Sequence, residues 1–403
     1  MVKNLAINGG DPVSKKAIAP WPVFGNDEIE SVVDVLKSGK VNYWTGNLTK
    51  KFEDDFASYH GMKHGIALSN GTLALELALF GLGVGPGDEV ITTCRTFIAS
   101  ASCIVRVGAT PVMADIDLSS QNITADSISR VINKNTKAIV VVHLAGWPAD
   151  MSAIMKLAKE NNLKVIEDCA QSHGAKIDGR LTGSFGDMSA FSFCQDKIMT
   201  TGGEGGILLT NESEIYEKMW AFKDHGKSYD AVYRREHPPG FRWLHESFGT
   251  NWRFTEIQSA IALKQLEKLE AWVLQRRHLA HKVIANLKDE EGLIIPQPSS
   301  REFHSYYRLY AFIDQAQLRD GWNRDRIMHA IQAEGFPCFV GSCGEIYLEK
   351  AFVNSPFAVK ERLPNAKKLS ESSLAFLVHP TLADDYADGL SLAVKKVLKS
   401  ARK

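Results

Sequence analysis

The sequence predicts an α/β protein whose large domain contains a seven-stranded, mostly parallel sheet covered by helices. Seven short apolar runs alternate with helix-like segments between residues 64 and 210. Such strands are typical of a parallel sheet that is buried on both faces. The chain has 403 residues, too many for one simple core, which favours a second domain. The predicted strands are Gly65–Leu68, Glu89–Thr92, Thr110–Ala114, Ala138–Leu144, Lys164–Glu167, Met188–Phe193 and Ile207–Thr210.

A second, smaller α+β domain is predicted after this region. A long helical stretch from Glu256 to Ala280 carries Leu263, Leu266 and Leu269 at helical spacing. We expect this helix to lead into the smaller domain. The predicted division is residues 1–250 for the large domain with its N-terminal segment, and 251–403 for the small C-terminal domain.

Composition excludes several classes of function. Lys and Arg together number 47, as do Asp and Glu, and no stretch concentrates basic residues, so a nucleic acid is not expected as the main partner. The N-terminus lacks the apolar core of a signal peptide and no apolar run could span a membrane, which predicts a cytoplasmic protein without a membrane partner. The six cysteines form no Cys-x-x-Cys pair, and the histidines show no metal-ligand spacing. We therefore expect no metal site.

One lysine loop carries the strongest chemical signal. Lys197 follows the apolar run Met188–Phe193, and a glycine-rich turn at residues 202–206 then leads into the next strand-like run. Lysine amines form Schiff bases with aldehydes when burial or neighbouring charge lowers their pKa. A lysine at the mouth of a sheet, with glycines beside it, could therefore bond covalently to a flat cofactor. Taken alone, the segment is also compatible with a solvated loop lysine.

Two other strand ends offer groups that could hold such a cofactor. The segment Leu68–Thr72 joins an apolar run to a helix start, where free N–H groups and the helix dipole could bind a phosphate. The same residues are also typical of an ordinary turn with a helix cap. Asp168 ends another apolar run, where a parallel strand would open into a ligand crevice. A carboxylate there could keep a pyridine nitrogen protonated, or it could cap a helix.

Together these segments resemble the DegT/StrS family of nucleotide-sugar aminotransferases, which use pyridoxal 5′-phosphate (PLP) and share the aspartate aminotransferase fold. Ser192 lies five residues before Lys197, and Gly203-Glu204-Gly205-Gly206 follows, as in that family. The resemblance covers residues 15 to 390. It implies that Lys197 is the catalytic residue and bonds to PLP. The other cofactor-binding residues that it implies are Gly71 and Thr72 near the phosphate, Phe97 stacked on the ring, Asp168 at the pyridine nitrogen, Gln171 near the ring hydroxyl, Ser192, and Asn251 at the phosphate of a partner subunit.

The resemblance also implies a reaction. An amino acid, glutamate in most relatives, would give its amine to a nucleotide-linked keto sugar at C4, for surface polysaccharide of the O-antigen type. A homodimer with composite active sites is expected from the role of Asn251. Relatives with histidine at the lysine position are dehydratases, so Lys197 favours aminotransfer.

Two alternatives and two open points remain. The acceptor could be a cyclitol or another ketone of secondary metabolism. The protein could also be a non-catalytic, PLP-binding regulator, although the complete set of Lys197, Asp168 and Ser192 argues against it. His225 and His304 are candidates for substrate contact, and residues 236–245 and 335–347 are the segments expected to select the substrate.

Overall fold

The computed structural model describes residues 5–403, and within that range the chain forms thirteen α-helices and fourteen strands. The strands are β1 (His64–Leu68), β2 (Glu89–Thr93), β3 (Thr110–Ala114), β4 (Thr136–Val142), β5 (Lys164–Asp168), β6 (Lys176–Ile177), β7 (Arg180–Leu181), β8 (Met188–Ser192), β9 (Gly206–Thr210), β10 (Leu293–Ile294), β11 (Glu302–Phe303), β12 (Leu309–Ile313), β13 (Cys338–Phe339) and β14 (Ser373–Phe376). The helices are α1 (Asn26–Ser38), α2 (Leu48–Tyr59), α3 (Gly71–Gly81), α4 (Ala99–Arg106), α5 (Ala125–Ser129), α6 (Met151–Glu160), α7 (Ser213–Lys223), α8 (Tyr229–Tyr233), α9 (Glu256–Leu287), α10 (Arg324–Ala333), α11 (Lys350–Val353), α12 (Pro364–Ser372) and α13 (Asp384–Ala401).

The central sheet has seven strands in the order β1-β9-β8-β5-β4-β2-β3. Strand β9 is antiparallel to both of its neighbours, and the remaining pairs are parallel. The predicted seven-stranded, mostly parallel sheet is therefore confirmed, and no predicted strand boundary differs from the observed one by more than two residues. Because β4, β5 and β8 are parallel, their carboxyl ends meet at one edge of the sheet, where ligands bind in folds of this type.

Both faces of the sheet are packed against apolar side chains. In β4, Ile139 and Val141 belong to one hydrophobic cluster, while Ala138 and Val140 belong to another on the opposite face. Successive side chains of a strand point to opposite faces, so a strand covered on both sides needs apolar residues at every position. This requirement explains why the strands appear in the sequence as continuous apolar runs.

The C-terminal part contains an antiparallel sheet in the order β10-β12-β14-β13. Helices α10 and α13 share its hydrophobic core with the C-terminal end of α9. Helix α9 begins at Glu256 as predicted, after the capping residue Thr255, but it continues to Leu287 rather than ending at Ala280. Its later residues, including Val283, Ile284 and Leu287, are buried in the C-terminal core, so packing extends the helix beyond the predicted end.

The N-terminal segment packs against the C-terminal part. Leu5 is buried in the C-terminal core, and the backbone N–H groups of Ala6 and Val13 donate to the Glu334 carboxylate at 2.9 and 3.1 Å. Strand β11 also pairs with β6, which joins the two regions of the chain. The predicted division at residue 250 stays a prediction. The N-terminal segment and strand β11 both make contacts across it. Within residues 5–403, no helix has both the length and the apolar character needed to cross a bilayer.

Candidate active site

A cavity of about 450 Å³ lies at the carboxyl edge of the parallel strands. Its walls include Val142, Asp168 and Ser192, the last residues of β4, β5 and β8. Seven of the eight predicted site residues line this cavity: Gly71, Thr72, Phe97, Asp168, Gln171, Ser192 and Lys197. The parallel strand ends thus bring together residues that are far apart in the sequence.

One end of the cavity is formed by the start of α3. Asn70 caps this helix, its side-chain oxygen accepting a hydrogen bond from the Leu73 N–H at 3.0 Å. Gly71 and Thr72 occupy the first turn, where backbone N–H groups have no acceptor within the helix. A Cβ atom on Gly71 would lie 2.7 Å from the Ser192 Cβ, so only glycine fits beside Ser192. The result is a small cradle of N–H groups and a hydroxyl at a helix N-terminus, which suits a phosphate.

Asp168 lies against the wall of the cavity and is almost fully buried. One carboxylate oxygen accepts a hydrogen bond from the Ser100 hydroxyl at 2.7 Å, and the other accepts from the Ala170 N–H at 3.2 Å. Burial raises the pKa of Asp168, even though both hydrogen bonds act in the opposite direction. A cationic partner inside the cavity would therefore stabilise the carboxylate. Ser100, which α4 positions three residues after Phe97, was not among the residues predicted from the sequence.

Lys197 is held through its main chain and its side chain. The Trp21 indole N–H donates to the Lys197 carbonyl at 2.9 Å, and the Lys197 Nζ lies 3.5 Å from Asp196 Oδ1. Burial lowers the pKa of Lys197, but Tyr307 and Asp196 raise it more, so the net pKa is above its ordinary value. Tyr307 and Asp196 therefore favour the protonated amine in the protein without a cofactor.

Gln171 and Phe97 occupy different parts of the cavity wall. Gln171 Oε1 accepts from the Ala145 N–H at 2.8 Å, and its Nε2 donates to the Ser342 hydroxyl at 3.4 Å. Ser342 belongs to the C-terminal segment predicted to select the substrate, so part of that segment does contact a residue of the site. Phe97 is 65% exposed, which leaves a ring face open toward a ligand.

Asn251 is the one predicted site residue that does not line the cavity of its own chain. Its side chain is exposed. The next residue, Trp252, lies beside the cradle, because its carbonyl accepts a hydrogen bond from the Ser69 N–H at 3.1 Å. Of the two candidate histidines, His225 is exposed. His304 is buried, stacks on Tyr306 with ring centres 3.8 Å apart, and does not line the cavity.

Three buried side chains next to the site, His143, Glu167 and Cys169, have potential metal-ligand atoms within 4.8 Å of one another. The Ala149 N–H donates to His143 Nδ1, which leaves the proton on Nε2, 3.0 Å from Glu167. Glu167 also accepts three backbone N–H groups from residues 183–186. The imidazole and carboxylate are thus occupied by hydrogen bonds that fix the ends of β4 and β5, which indicates a structural network.

The residues present fit PLP. The first turn of α3 would hold its phosphate, Asp168 its pyridine nitrogen and Lys197 its aldehyde carbon. When bound, PLP supplies an electron sink for the carbanion left when an amino acid loses its α-proton. Lys197 is placed to take and return that proton, and Phe97 to keep water from one face of the ring.

A parallel sheet that presents these groups at its carboxyl edge is typical of PLP-dependent enzymes of fold type I, a class that includes the aminotransferases. More specifically, the chain belongs to the DegT/DnrJ/EryC1/StrS aminotransferase family, whose profile matches residues 22–395. The family resemblance found in the sequence, the enzyme class and the cofactor are thereby confirmed.

Similar proteins include one solved structure and two enzymes of known name. The structure of the aminotransferase from Psychrobacter cryohalolentis is 50% identical, with a TM-score of 0.94 over 96% of this chain and 100% of that one. GDP-perosamine synthase from Escherichia coli O157:H7 is 39% identical over 74% of this chain and 78% of the enzyme. UDP-N-acetyl-3-dehydro-alpha-D-glucosamine 3-aminotransferase from Acidithiobacillus ferrooxidans is 33% identical over 88% of this chain and 89% of the enzyme.

Proposed function

We propose that this protein transfers the amine of an amino acid, glutamate, to C4 of a nucleotide-diphosphate-linked keto sugar. The observation that carries the proposal is Lys197 at one cavity with Asp168 and the α3 cradle. Two similar enzymes are named for nucleotide-linked sugars, one with GDP and one with UDP. Synthesis of amino sugars for surface polysaccharide of the O-antigen type is the biological role we infer, and a cytoplasmic location stays a prediction.

A catalytic role is favoured over a regulatory one by the residues at the cavity. Lys197 and Asp168 both line it, and Ser192 completes the cradle beside Gly71. A cavity of about 450 Å³ is large enough for a cofactor and the reacting part of a substrate. The remainder of a nucleotide sugar would then extend from the cavity mouth, where Phe97 is exposed.

A substrate panel tests this proposal directly. The PLP-loaded protein would be incubated with glutamate and, separately, with UDP-, dTDP- and GDP-linked 4-keto sugars, a UDP-linked 3-keto sugar and a cyclitol ketone. We expect 2-oxoglutarate to form with a 4-keto sugar, and NMR of the product to place the amine at C4. Turnover of the 3-keto sugar alone, or of the cyclitol alone, would replace our proposal with C3 amination or with the cyclitol alternative.

We also infer that the protein is a homodimer with composite sites. Asn251 is exposed and lies outside its own chain's cavity, yet its neighbour Trp252 hydrogen-bonds to Ser69 at the start of the cradle. An exposed amide close to the cradle could reach the phosphate bound by a second copy related by a twofold axis.

Mixing two inactive variants should restore activity if this inference is right. A dimer with one Lys197→Ala subunit and one Asn251→Ala subunit has both defects in one site and none in the other. We therefore expect up to about half of the wild-type activity per mixed dimer. As a control, Lys197→Ala mixed with Asp168→Asn should recover nothing, because each site then keeps one defect. A monomer in sedimentation, or no recovery in proven mixed dimers, would show that Asn251 does not act across an interface.

A further inference from the structure

Arg276, on α9, is a fully buried cation. Its side chain has no exposed surface, and none of its three guanidinium nitrogens finds a partner among residues 5–403. The guanidinium carbon lies 5.0 Å from the ring centre of Trp21, the residue that also hydrogen-bonds to the Lys197 main chain. Burial and the nearby charge of Arg308 lower the pKa of Arg276 to about 9. An unpaired buried charge is costly, so an anion held nearby would stabilise the protein.

Arg308 places a second guanidinium next to this one, and this side chain is reachable. It lies just before β12 and is 20% exposed. Its Nη1 donates to the Tyr307 carbonyl at 3.3 Å, and its guanidinium carbon stands 4.5 Å from the Tyr307 ring centre. Its Nη2 is only 3.7 Å from Asp196 Oδ2, and Asp196 lines the cavity. Two cations, Lys197 and Arg308, therefore lie 3.5 and 3.7 Å from this one half-exposed carboxylate, which also interacts electrostatically with Arg276.

The position of Asp196 shows how a carboxylate fits here. One of its oxygens lies 3.5 Å from Lys197 Nζ, and the other accepts the Tyr307 hydroxyl and faces Arg308. An amino acid that reacts at the lysine position would carry its α-carboxylate in the same relation, with one oxygen near the amine and the other near the guanidinium. A guanidinium recognises a planar carboxylate with two donors, which an ammonium group cannot do.

We propose that Arg308, with the added positive charge of Arg276, binds the α-carboxylate of the amino donor, and that Asp196 occupies this place in the free protein and moves aside when the donor enters. This inference rests on the proposed transfer from an amino acid. It assigns donor recognition to the start of β12, at the edge where residues 305–307 bond to the loop after β4. The phosphates of the acceptor would then bind elsewhere.

Binding without turnover gives the first test. Cofactor-free protein would be titrated by calorimetry with glutarate, a dicarboxylate that has no amine, and with pyrophosphate. We expect Arg308→Met to weaken glutarate binding about 10- to 100-fold, because a charged hydrogen-bond donor is lost. Asp196→Asn should tighten it by about threefold or more, because the competing carboxylate is gone. Unchanged glutarate binding in both variants, or displacement of glutarate by equimolar pyrophosphate in the wild type, would overturn the proposal.

A matched control is available on α9. The Arg277 guanidinium carbon lies 3.8 Å from the Phe303 ring centre, and its Nη1 donates to the His304 carbonyl. Like Arg308, it therefore contacts an aromatic ring and a main-chain carbonyl, but it has no ion pair with Asp196 among the described residues. Arg277→Met should leave glutarate binding unchanged. If Arg308→Met does not fold, Asp196→Asn still decides the matter, since a residue with only a structural role would not tighten binding when it is replaced.

Half-reactions of the PLP-loaded protein separate this inference from the proposed function. With Arg308→Met, we expect the KM for glutamate and for alanine to rise by the same factor, about 10- to 100-fold. The second half-reaction, in which the keto acceptor takes up the amine, should keep its wild-type KM for the acceptor. A wild type that binds glutarate but deaminates no amino acid would contradict the proposed function alone. Wild-type turnover with an unchanged donor KM in Arg308→Met would contradict this inference alone.

Discussion

Lys197→Ala is expected to reduce turnover on the order of 10⁴-fold. The covalent link to PLP and the group that moves the α-proton disappear together, and each role is worth several orders of magnitude in rate. Cofactor affinity should fall much less, because the cradle at Gly71 and Asp168 remain in place. The PLP-loaded wild type should absorb visible light as lysine-bound PLP does, and Lys197→Ala should lose that band while it still retains cofactor on dialysis.

Chemical labelling gives a second, activity-independent readout of the same prediction. Borohydride should fix the cofactor of the wild type to the one peptide that contains Lys197. Lys268→Ala is a suitable control, because that lysine is also partly buried and ion-paired, with Glu28 at 2.8 Å, on another part of the molecule. It should keep both the label and the activity. A label on any other peptide would refute the assignment of Lys197.

The sheet and most of the site could be predicted from the sequence for a physical reason. A strand covered on both faces is apolar where it is buried, so β4 appears as the apolar run Ala138–Val142 before His143, and Val165 and Ile166 of β5 precede Asp168. Parallel strands also bring their carboxyl ends to one edge, so residues that follow different strands are brought together by topology. Lys197 and Asp168 were therefore predictable as neighbours of one cavity.

The interactions around those residues could not be predicted in the same way. The Ser100 hydroxyl reaches Asp168 across 68 positions of sequence, and the Tyr307 hydroxyl reaches Asp196 across 111. Such contacts depend on how α4 and the start of β12 are packed, which no local pattern encodes. The raised pKa of Lys197 has the same origin, since it follows from the positions of Tyr307 and Asp196 rather than from residue type.

Asp168→Asn should slow turnover about a thousandfold, equivalent to about 4 kcal/mol of lost stabilisation. A neutral amide cannot hold the pyridine nitrogen protonated, so removal of the α-proton becomes harder while the shape of the site is kept. Ser100→Ala is the matched control, because it removes the 2.7 Å hydrogen bond but leaves the carboxylate charge. It should cost about tenfold or less. Wild-type turnover in Asp168→Asn would remove Asp168 from the site.

The stability of the cofactor-free protein tests the same residue without any reaction. Because burial raises the folded-state pKa of Asp168, its ionised carboxylate destabilises the cofactor-free fold at pH values above that pKa. Near neutral pH, Asp168→Asn should therefore unfold at the same temperature as the wild type or at a higher one, and any gain should vanish in acid, where the carboxyl group is protonated. Added PLP should raise the unfolding temperature of the wild type more than that of the variant, because only the carboxylate can pair with a protonated pyridine. A calorimetric comparison in which PLP stabilises both proteins equally would show that Asp168 does not contact the cofactor.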